Sequence, residues 1–227
     1  MSAAVVTGAS RGIGRATALA LARRGLDVAL LARTEEDLSW VAREVTASGV
    51  KALPLRCDVT SEADVRGACA RVLEEFGGPA VLVNNAGMIR RGLVHEMPIE
   101  DFRLVIDTNL VGTFLVTRAL LPAMFTRRAG RVIQVASISS TLGSARASAY
   151  CAAKWAIIGF TKSLAEELRG TALATMSVLP GSVETSMLEG SGFAPQMSAD
   201  DVAGTIVYAA LDAPAAMNGS SIEMFGP

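Results

Sequence analysis

Tyr150 and Lys154 are the pair of residues whose types and spacing most directly suggest chemistry. They lie four positions apart in a segment with helical periodicity, so both side chains project from one face of the predicted helix. A free tyrosine titrates near ~10, and a cation a few ångströms away favours the phenolate and lowers the pKa by roughly one to three units. The spacing therefore predicts a phenol that exchanges a proton with help from a neighbouring ammonium group.

A glycine-rich turn near the start of the chain predicts a phosphate-binding loop. The predicted strand Ala3–Thr7 leads into Gly8, Gly12 and Gly14, and a helical segment follows directly. Glycines permit a tight turn there, so that backbone N–H groups and the N-terminus of the helix approach a pyrophosphate closely. The alternative interpretation is a glycine-rich turn without a ligand, and the strand-loop-helix context argues against it.

The end of the second predicted strand bears on which dinucleotide would bind. An NAD-binding fold normally places an acidic residue there to bind the adenosine ribose, but this chain has Ala32 and Arg33. Arg33, with Arg11 of the glycine loop, can pair with the 2′-phosphate of NADP(H) through charge-assisted hydrogen bonds. The sequence therefore predicts NADP(H), whereas the alternative is that both arginines are solvated surface charges.

The elements that must position these residues alternate along the chain. Continuous apolar runs indicate strands buried on both faces, and the helical segments between them are long enough for parallel crossovers. This pattern predicts an α/β fold, a single-domain Rossmann-type doubly wound parallel β-sheet with helices on both faces, over residues 1–227. The predicted strands are 3–7, 27–32, 51–56, 79–84, 131–137, 172–179 and 220–225, and the predicted helices are 13–24, 36–47, 63–76, 102–127, 149–168 and 199–211.

Charge and composition argue against several kinds of partner. The formal net charge is −1 and the charged residues are scattered, so the chain has no basic field for a nucleic acid. Its three cysteines are irregularly spaced and His95 is its single histidine, so no metal site is expected.

The longest apolar stretch, 105–125, raises the question of a membrane helix. Asp107, Asn109 and Arg118 interrupt it, and no uninterrupted apolar run reaches the ~20 residues that a bilayer needs. We interpret it as a buried helix. No basic segment or cleavage site precedes the first strand, so we expect no membrane association and a cytoplasmic protein.

Five motifs in a fixed order make the chain resemble the short-chain dehydrogenase/reductase family over nearly its whole length. TGxxxGxG occupies 7–14, NNAG occupies 84–87, and PGSVET occupies 180–185. YxxxK occupies 150–154, and Ser137 precedes its tyrosine by thirteen positions. Within that family, the resemblance is to members that reduce 3-oxoacyl-carrier-protein substrates.

The resemblance implies a role for each matching residue. Ser137 would bind the substrate oxygen, Tyr150 would donate or accept the proton, and Lys154 would lower the tyrosine pKa and hold the nicotinamide ribose. Asn109 would support a chain of water molecules that returns protons, completing a catalytic set of four. The implied cofactor-binding residues are Gly8, Ser10, Arg11, Gly12, Ile13, Gly14, Arg33, Asp58, Val59, Asn85, Ala86, Gly87, Tyr150, Lys154, Pro180, Gly181, Val183 and Thr185.

These observations predict an NADPH-dependent oxidoreductase that interconverts a carbonyl and an alcohol, with a ketone or 3-oxoacyl thioester as candidate substrate. One alternative is an NADPH-binding sensor or scaffold without catalysis, and another is a nucleotide-dependent methyltransferase, which has no need of the serine, tyrosine and lysine.

Helices 102–127 and 149–168 carry apolar residues on more than one side, which favours a homotetramer or homodimer. The resemblance adds a second contact through strand 220–225.

The substrate pocket is the least determined part of the sequence. Only a short segment separates Thr185 from the helix predicted at 199–211, which suggests a pocket that is open or completed by a neighbouring subunit. Ordinary loop and core packing is an equal alternative for its candidate wall residues. These are Met88, Ile89, Arg90, Leu142, Arg146, Met187 and Leu188.

Overall fold

One parallel sheet organises the protein. The computed structural model describes residues 2–127 and 129–227, and within them seven strands are ordered β3-β2-β1-β4-β5-β6-β7. The predicted fold class is confirmed; the predicted domain, 1–227, also includes Met1 and Arg128, which lie outside the described residues. The strands are β1 (Ala3–Thr7), β2 (Asp27–Ala32), β3 (Ala52–Arg56), β4 (Val81–Asn84), β5 (Gly130–Val135), β6 (Leu173–Pro180) and β7 (Ser221–Met224).

Helices cover both faces of this sheet. Alternate side chains of a strand point to opposite faces, so Val6 belongs to the apolar core on one face of the sheet and Val5 to the core on the other. Both layers are apolar, which explains why the central strands read as continuous apolar runs. The helices are α1 (Gly12–Arg23), α2 (Glu35–Thr46), α3 (Glu62–Phe76), α4 (Ile99–Ile106), α5 (Gly112–Met124), α6 (Ser148–Glu167) and α7 (Ala199–Val207).

Two departures from the predicted elements concern the site. Strand β5 ends at Val135, so Ser137 lies in the loop beyond the strand and not at its last position. There its Oγ accepts a hydrogen bond of 3.1 Å from the backbone N–H of Ser139. The helix predicted over 102–127 consists of α4, a π-helical turn at Asp107–Val111 and α5.

The continuous helix Ile99–Met124 is long and apolar enough, by length and composition, to cross a membrane. Buried helices of globular cores meet the same criteria, and 44 % of its most apolar 18-residue window is buried within the chain, so this is weak evidence of a span. Its inner side packs Leu120 into the core beneath the sheet. Its outer side leaves Phe102, Phe114 and the adjacent Phe125 partly exposed.

The strand order fixes where a ligand can bind. Strand β1 pairs with β2 on one side and β4 on the other, so the chain reverses its direction of winding between them. In open parallel sheets of this kind a crevice forms beyond the carboxyl ends of the strands at such a switch point. The loops that follow β1, β4, β5 and β6 surround this crevice.

Candidate active site

The loop after β1 forms a cradle that a side chain would fill. Gly8 and Gly12 have φ values of +64° and +53°, a region that strongly favours glycine. A Cβ atom on Gly14 would overlap the carbonyl oxygen of Gly8, so the two turns approach as closely as their backbones allow. The first turn of α1 carries no acidic residue, which suits an anion at its N-terminus. This geometry fits the pyrophosphate of a dinucleotide.

Thr7 joins this glycine loop to the loop after β4. The Thr7 hydroxyl oxygen accepts hydrogen bonds of 3.0 Å from the backbone N–H groups of Asn85 and Ala86. In return, the Asn85 side-chain amide donates to the carbonyl oxygens of Thr7 at 3.0 Å and Gly8 at 3.2 Å. Sequence reasoning missed this role of Thr7, although the residue opens the glycine motif.

Two exposed arginines lie in the loops that follow β1 and β2. Ala32 ends β2 and is buried, and Arg33 follows it; Arg11 immediately precedes α1. Among the described residues neither arginine forms an ion pair. Beyond β3, one carboxylate oxygen of Asp58 accepts hydrogen bonds from the backbone N–H and hydroxyl of Thr60, at 2.9 and 2.8 Å. The Asp58 carboxylate is thereby fixed in orientation.

Tyr150 and Lys154 lie one turn apart on α6, as predicted, and line one cleft with Ser137. The Lys154 ammonium nitrogen lies 5.5 Å from the centre of the Tyr150 ring and donates a 2.8 Å hydrogen bond to the carbonyl oxygen of Val135. The Tyr150 hydroxyl lies 4.0 Å from the sulfur of Met187. Both side chains therefore line the cleft and are buried.

Burial dominates the titration of these two groups. It raises the pKa of Tyr150 to about 12, while the nearby Ser137 hydroxyl and the Arg91 guanidinium pull that pKa downward. Burial lowers the pKa of Lys154 to about 8. In the protein alone the loss of hydration outweighs the attraction from Ser137 and Arg91, and the effect of Lys154 on the phenol pKa stays a prediction. The phenol is therefore protonated at neutral pH.

Asn109 lies behind the cleft, in the π-helical turn. Its side-chain amide donates hydrogen bonds to the carbonyl oxygens of Met88 at 2.8 Å and Val105 at 2.9 Å. Its carboxamide oxygen is buried with no partner among the described residues, and a Cβ atom on Gly87 would lie 2.7 Å from it. Asn109 therefore supports the loop after β4 and leaves one acceptor free behind the cleft wall.

The loop after β6 forms the side of the crevice that faces the glycine loop. Pro180 ends β6, and the backbone N–H of Gly181 donates to the carbonyl oxygen of Met224 at 2.8 Å. Thr185 reaches back to the glycine loop, since a Cβ atom on Gly12 would lie 3.2 Å from its methyl carbon. This contact brings the PGSVET segment and the glycine loop to the two sides of one crevice.

The predicted site residues thus collect around one crevice, in three groups. Ten line the cleft itself: Ile13, Asn85, Gly87, Ser137, Tyr150, Lys154, Pro180, Gly181, Val183 and Thr185. Others belong to the glycine loop and the adjoining loop after β4: Gly8, Ser10, Arg11, Gly12, Gly14 and Ala86. The rest follow β2 and β3 or lie behind the cleft: Arg33, Asp58, Val59 and Asn109.

The cleft has a volume of about 300 Å³, and its lining differs in part from the substrate wall that the sequence predicted. The side chain of Arg90 pairs with Asp101 at 3.5 Å, outside the cleft. Arg91 lines the cleft instead, and sequence reasoning missed it because loop residues have no periodicity that assigns a direction. Four predicted wall residues line the cleft, namely Ile89, Arg146, Met187 and Leu188, and three do not, namely Met88, Arg90 and Leu142.

The segment between Thr185 and α7 is short and irregular, as the sequence predicted. Ser186–Leu188 forms one 3₁₀ turn, and the residues from Glu189 to Met197 form turns and coil with one isolated bridge to Val183. Phe193 in this segment lines the cleft and is 65 % exposed. The cleft is therefore open to solvent at Phe193.

Comparison with known proteins adds to this geometry. A family model described as short chain dehydrogenase matches residues 2–195. The chain is 38 % identical to a 3-oxoacyl-[acyl-carrier-protein] reductase of Synechocystis, covering 94 % of this chain and 90 % of that protein. It is 35 % identical to the Escherichia coli 3-oxoacyl-[acyl-carrier-protein] reductase FabG, covering 98 % and 95 %. A crystal structure of an actinorhodin polyketide ketoreductase with NADPH superposes with a TM-score of 0.93 at 33 % identity, covering 99 % of this chain and 96 % of that one.

Proposed function

The chain belongs to the short-chain dehydrogenase family, and from that premise we propose that it is an NADPH-dependent reductase of a ketone or 3-oxoacyl thioester. The observation that carries the proposal is the meeting of Ser137, Tyr150 and Lys154 in one cleft that opens beside the glycine loop. The reverse reaction, oxidation of an alcohol, uses the same groups. The names of the relatives support the substrate class.

The cofactor site follows the loops around the crevice. A bound nicotinamide dinucleotide would supply the hydride in reduction. Gly8, Gly12 and Gly14 leave room for its pyrophosphate, and Arg11 and Arg33 bind the 2′-phosphate of NADP(H). The remaining contacts fall to Ser10, Ile13, Asp58, Val59, Asn85, Ala86, Gly87, Pro180, Gly181, Val183 and Thr185, together with Tyr150 and Lys154.

The titration of the cleft residues supports reduction at neutral pH. Ser137 donates a hydrogen bond to the carbonyl oxygen of the substrate, and Tyr150 donates the proton that this oxygen needs to become a hydroxyl. With a pKa of about 12, the Tyr150 phenol is in its proton-donating form at neutral pH. Lys154, whose pKa is about 8, is charged there and binds the nicotinamide ribose. Asn109 holds the water that resupplies protons.

Self-association is a further part of the proposal. Trp155 on α6 is 53 % exposed, and Phe114 on α5 is 43 % exposed. Large apolar side chains on two neighbouring helices favour burial against another copy, as a homotetramer or homodimer. We place the protein in the cytoplasm, with no membrane or nucleic-acid partner.

The rival function is a sensor or scaffold that binds NADPH without turning it over. Oxidation of NADPH by the wild-type protein, measured across ketones, 3-oxoacyl thioesters, quinones and sugars, separates the two functions. We expect turnover with ketones or 3-oxoacyl thioesters. Saturable NADPH binding without turnover of any carbonyl would favour the sensor and overturn the reductase.

A further inference from the structure

Two arginines, Arg91 and Arg146, line the cleft from neighbouring loops, and we call the part of the cleft that they line its substrate end. The backbone N–H of Gly92 donates a 2.9 Å hydrogen bond to the carbonyl oxygen of Arg146, which joins the loop after β4 to the loop before α6. Arg91 precedes that glycine, so the two arginines are neighbours across the joined loops. Both side chains are exposed, and both line the cleft.

The charges around this pair are unbalanced. The residues that line the cleft include no aspartate or glutamate, and their other cation is Lys154. Within the described part of the chain neither Arg91 nor Arg146 forms an ion pair, whereas the adjacent Arg90 pairs with Asp101. Glu184 and Glu189 line an adjoining depression, which shares Thr185 and three other residues with the cleft, and neither carboxylate lines the cleft itself. The substrate end therefore carries uncompensated positive charge.

The backbone at Arg146 adds an independent observation. Its φ is +63°, and among the described residues it is the one non-glycine residue with a positive φ. This conformation favours glycine, and residues with a Cβ are retained there where the surrounding structure or a function requires them. Glycine at this position would relieve the strain and remove the guanidinium. Arg146 therefore holds an unfavourable backbone conformation at a position where its side chain reaches the cleft.

We propose that the substrate carries an anionic group, a carboxylate or a phosphate, which Arg91 and Arg146 bind while Ser137 and Tyr150 engage the carbonyl oxygen. Two guanidinium groups offer the planar donor pairs that carboxylate and phosphate oxygens accept. The proposal rests on the reductase function and narrows its substrate class from ketones in general to anionic ones. The downward pull of Arg91 on the Tyr150 pKa is consistent with a guanidinium close to the reacting atoms.

Matched acid and ester substrates test this assignment. NADPH oxidation is measured with 4-oxopentanoate against its methyl ester, and with dihydroxyacetone phosphate against dihydroxyacetone, which separates a carboxylate source from a phosphate source. We expect kcat/KM for at least one anion to exceed that of its neutral partner by about tenfold or more, as for a partly exposed charge-assisted pair. Added salt should reduce this ratio.

The test uses a double variant, Arg91→Gln with Arg146→Gly. Its control is Arg90→Gln, which removes a positive charge from the same loop as Arg91 but outside the cleft. In the double variant the ratio of anion to neutral partner should fall to near one, and in the control it should stay at the wild-type value. Arg146→Gly should melt at or above the wild-type temperature because glycine tolerates the positive φ. A folded double variant that keeps the wild-type ratio would overturn the proposal.

Binding of the anions is measured in parallel by calorimetry with NADP⁺ present, so that the inference does not depend on turnover alone. If no carbonyl is reduced but 4-oxopentanoate or dihydroxyacetone phosphate binds through both arginines, the reductase function fails and the anion site stands. If neutral ketones are reduced while both anions neither bind nor react better than their partners, the anion site fails and the reductase function stands.

Discussion

The loops on the cofactor side of the cleft are connected to each other differently from the loops on the substrate side. On the cofactor side, buried Thr7 and the Asn85 amide tie two loops by four hydrogen bonds, and backbone approaches leave no room for a side chain at Gly14. On the substrate side, one backbone hydrogen bond joins the loops that carry Arg91 and Arg146, and both side chains are exposed. A ligand common to many proteins can be bound by a fixed backbone, whereas specificity falls to loop side chains that are free to vary.

The largest expected difference is between two glycine-to-alanine substitutions, one on the cofactor side of the cleft and one on the substrate side. Gly14→Ala places a Cβ atom against the Gly8 carbonyl, whereas Gly143→Ala, in the loop before α6, meets nothing within 4 Å. We expect the first change to lower the free energy of unfolding by about 3 kcal/mol or to abolish NADPH binding, and the second to change it by less than about 0.5 kcal/mol. Urea denaturation and NADPH titration measure both. Equal tolerance of the two changes would remove the contrast between the two sides.

The next effect concerns the cofactor side alone. Arg33 pairing with the 2′-phosphate should contribute about 1.5–3 kcal/mol, a preference for NADPH over NADH of roughly tenfold to over a hundredfold in kcat/KM. Ala32→Asp with Arg33→Gln supplies an acceptor for the ribose and removes the cation, so the preference should move toward NADH. Arg23→Gln, at an exposed arginine of α1, is the control for the one positive charge that Arg33→Gln removes. A wild-type protein that already prefers NADH would refute this role of Arg33.

Lys154 lies between the two sides, and its burial has a predicted pH signature. Its pKa falls from 10.5 unfolded to about 8 folded, so the unfolded chain binds more protons between these values and stability rises with pH there. This corresponds to about 3 kcal/mol of destabilisation below about pH 8. Lys154→Met should remove that rise and stabilise the protein at neutral pH by about 1–3 kcal/mol while abolishing turnover. Exposed Lys162→Met is the control, and an unchanged pH profile in Lys154→Met would contradict the assignment.

The smallest effect on the cleft is expected from a substitution on the outer face of α5 and α6, where we propose that another copy of the chain binds. Trp155→Glu should shift the assembly toward single chains, because it places a charge on the proposed apolar interface. Trp40→Glu, on the outer side of α2 and equally exposed at 51 %, should leave the assembly unchanged. Sedimentation velocity measures the mass of each variant. A wild-type protein that sediments as an active single chain would refute the interface.

Most of the fold could be predicted because the central strands are buried on both faces. β1 and β2 have their predicted bounds, since polar or glycine residues end each apolar run. β5 was predicted to end at 137 but ends at Val135, because Ala136 continues the small, buried pattern of the strand beyond the last residue that pairs with β6. Apolar periodicity reports burial, whereas a strand ends where its hydrogen-bonded partners end.

The same distinction between local sequence pattern and tertiary packing applies to the site. The glycine loop and the Tyr150–Lys154 pair could be predicted because each depends on local spacing along the chain. The pKa of Tyr150 could not, because it depends on how deeply tertiary packing buries the phenol. The positions of Arg91 and Arg146 could not be predicted either, since a hydrogen bond between two distant loops and one positive φ set them.

Replacing Tyr150 with phenylalanine tests the central claim most directly, and the chain provides its own control in its second tyrosine. The hydroxyl of each tyrosine lies near a methionine sulfur, at 4.0 Å for Tyr150 and 3.8 Å for Tyr208, but Tyr208 is exposed and outside the cleft. We predict that Tyr150→Phe lowers kcat for carbonyl reduction by about 10²- to 10⁴-fold with NADPH affinity retained, and that Tyr208→Phe matches the wild type. Tyr150→Phe with more than about a tenth of wild-type turnover would contradict Tyr150 as the proton donor.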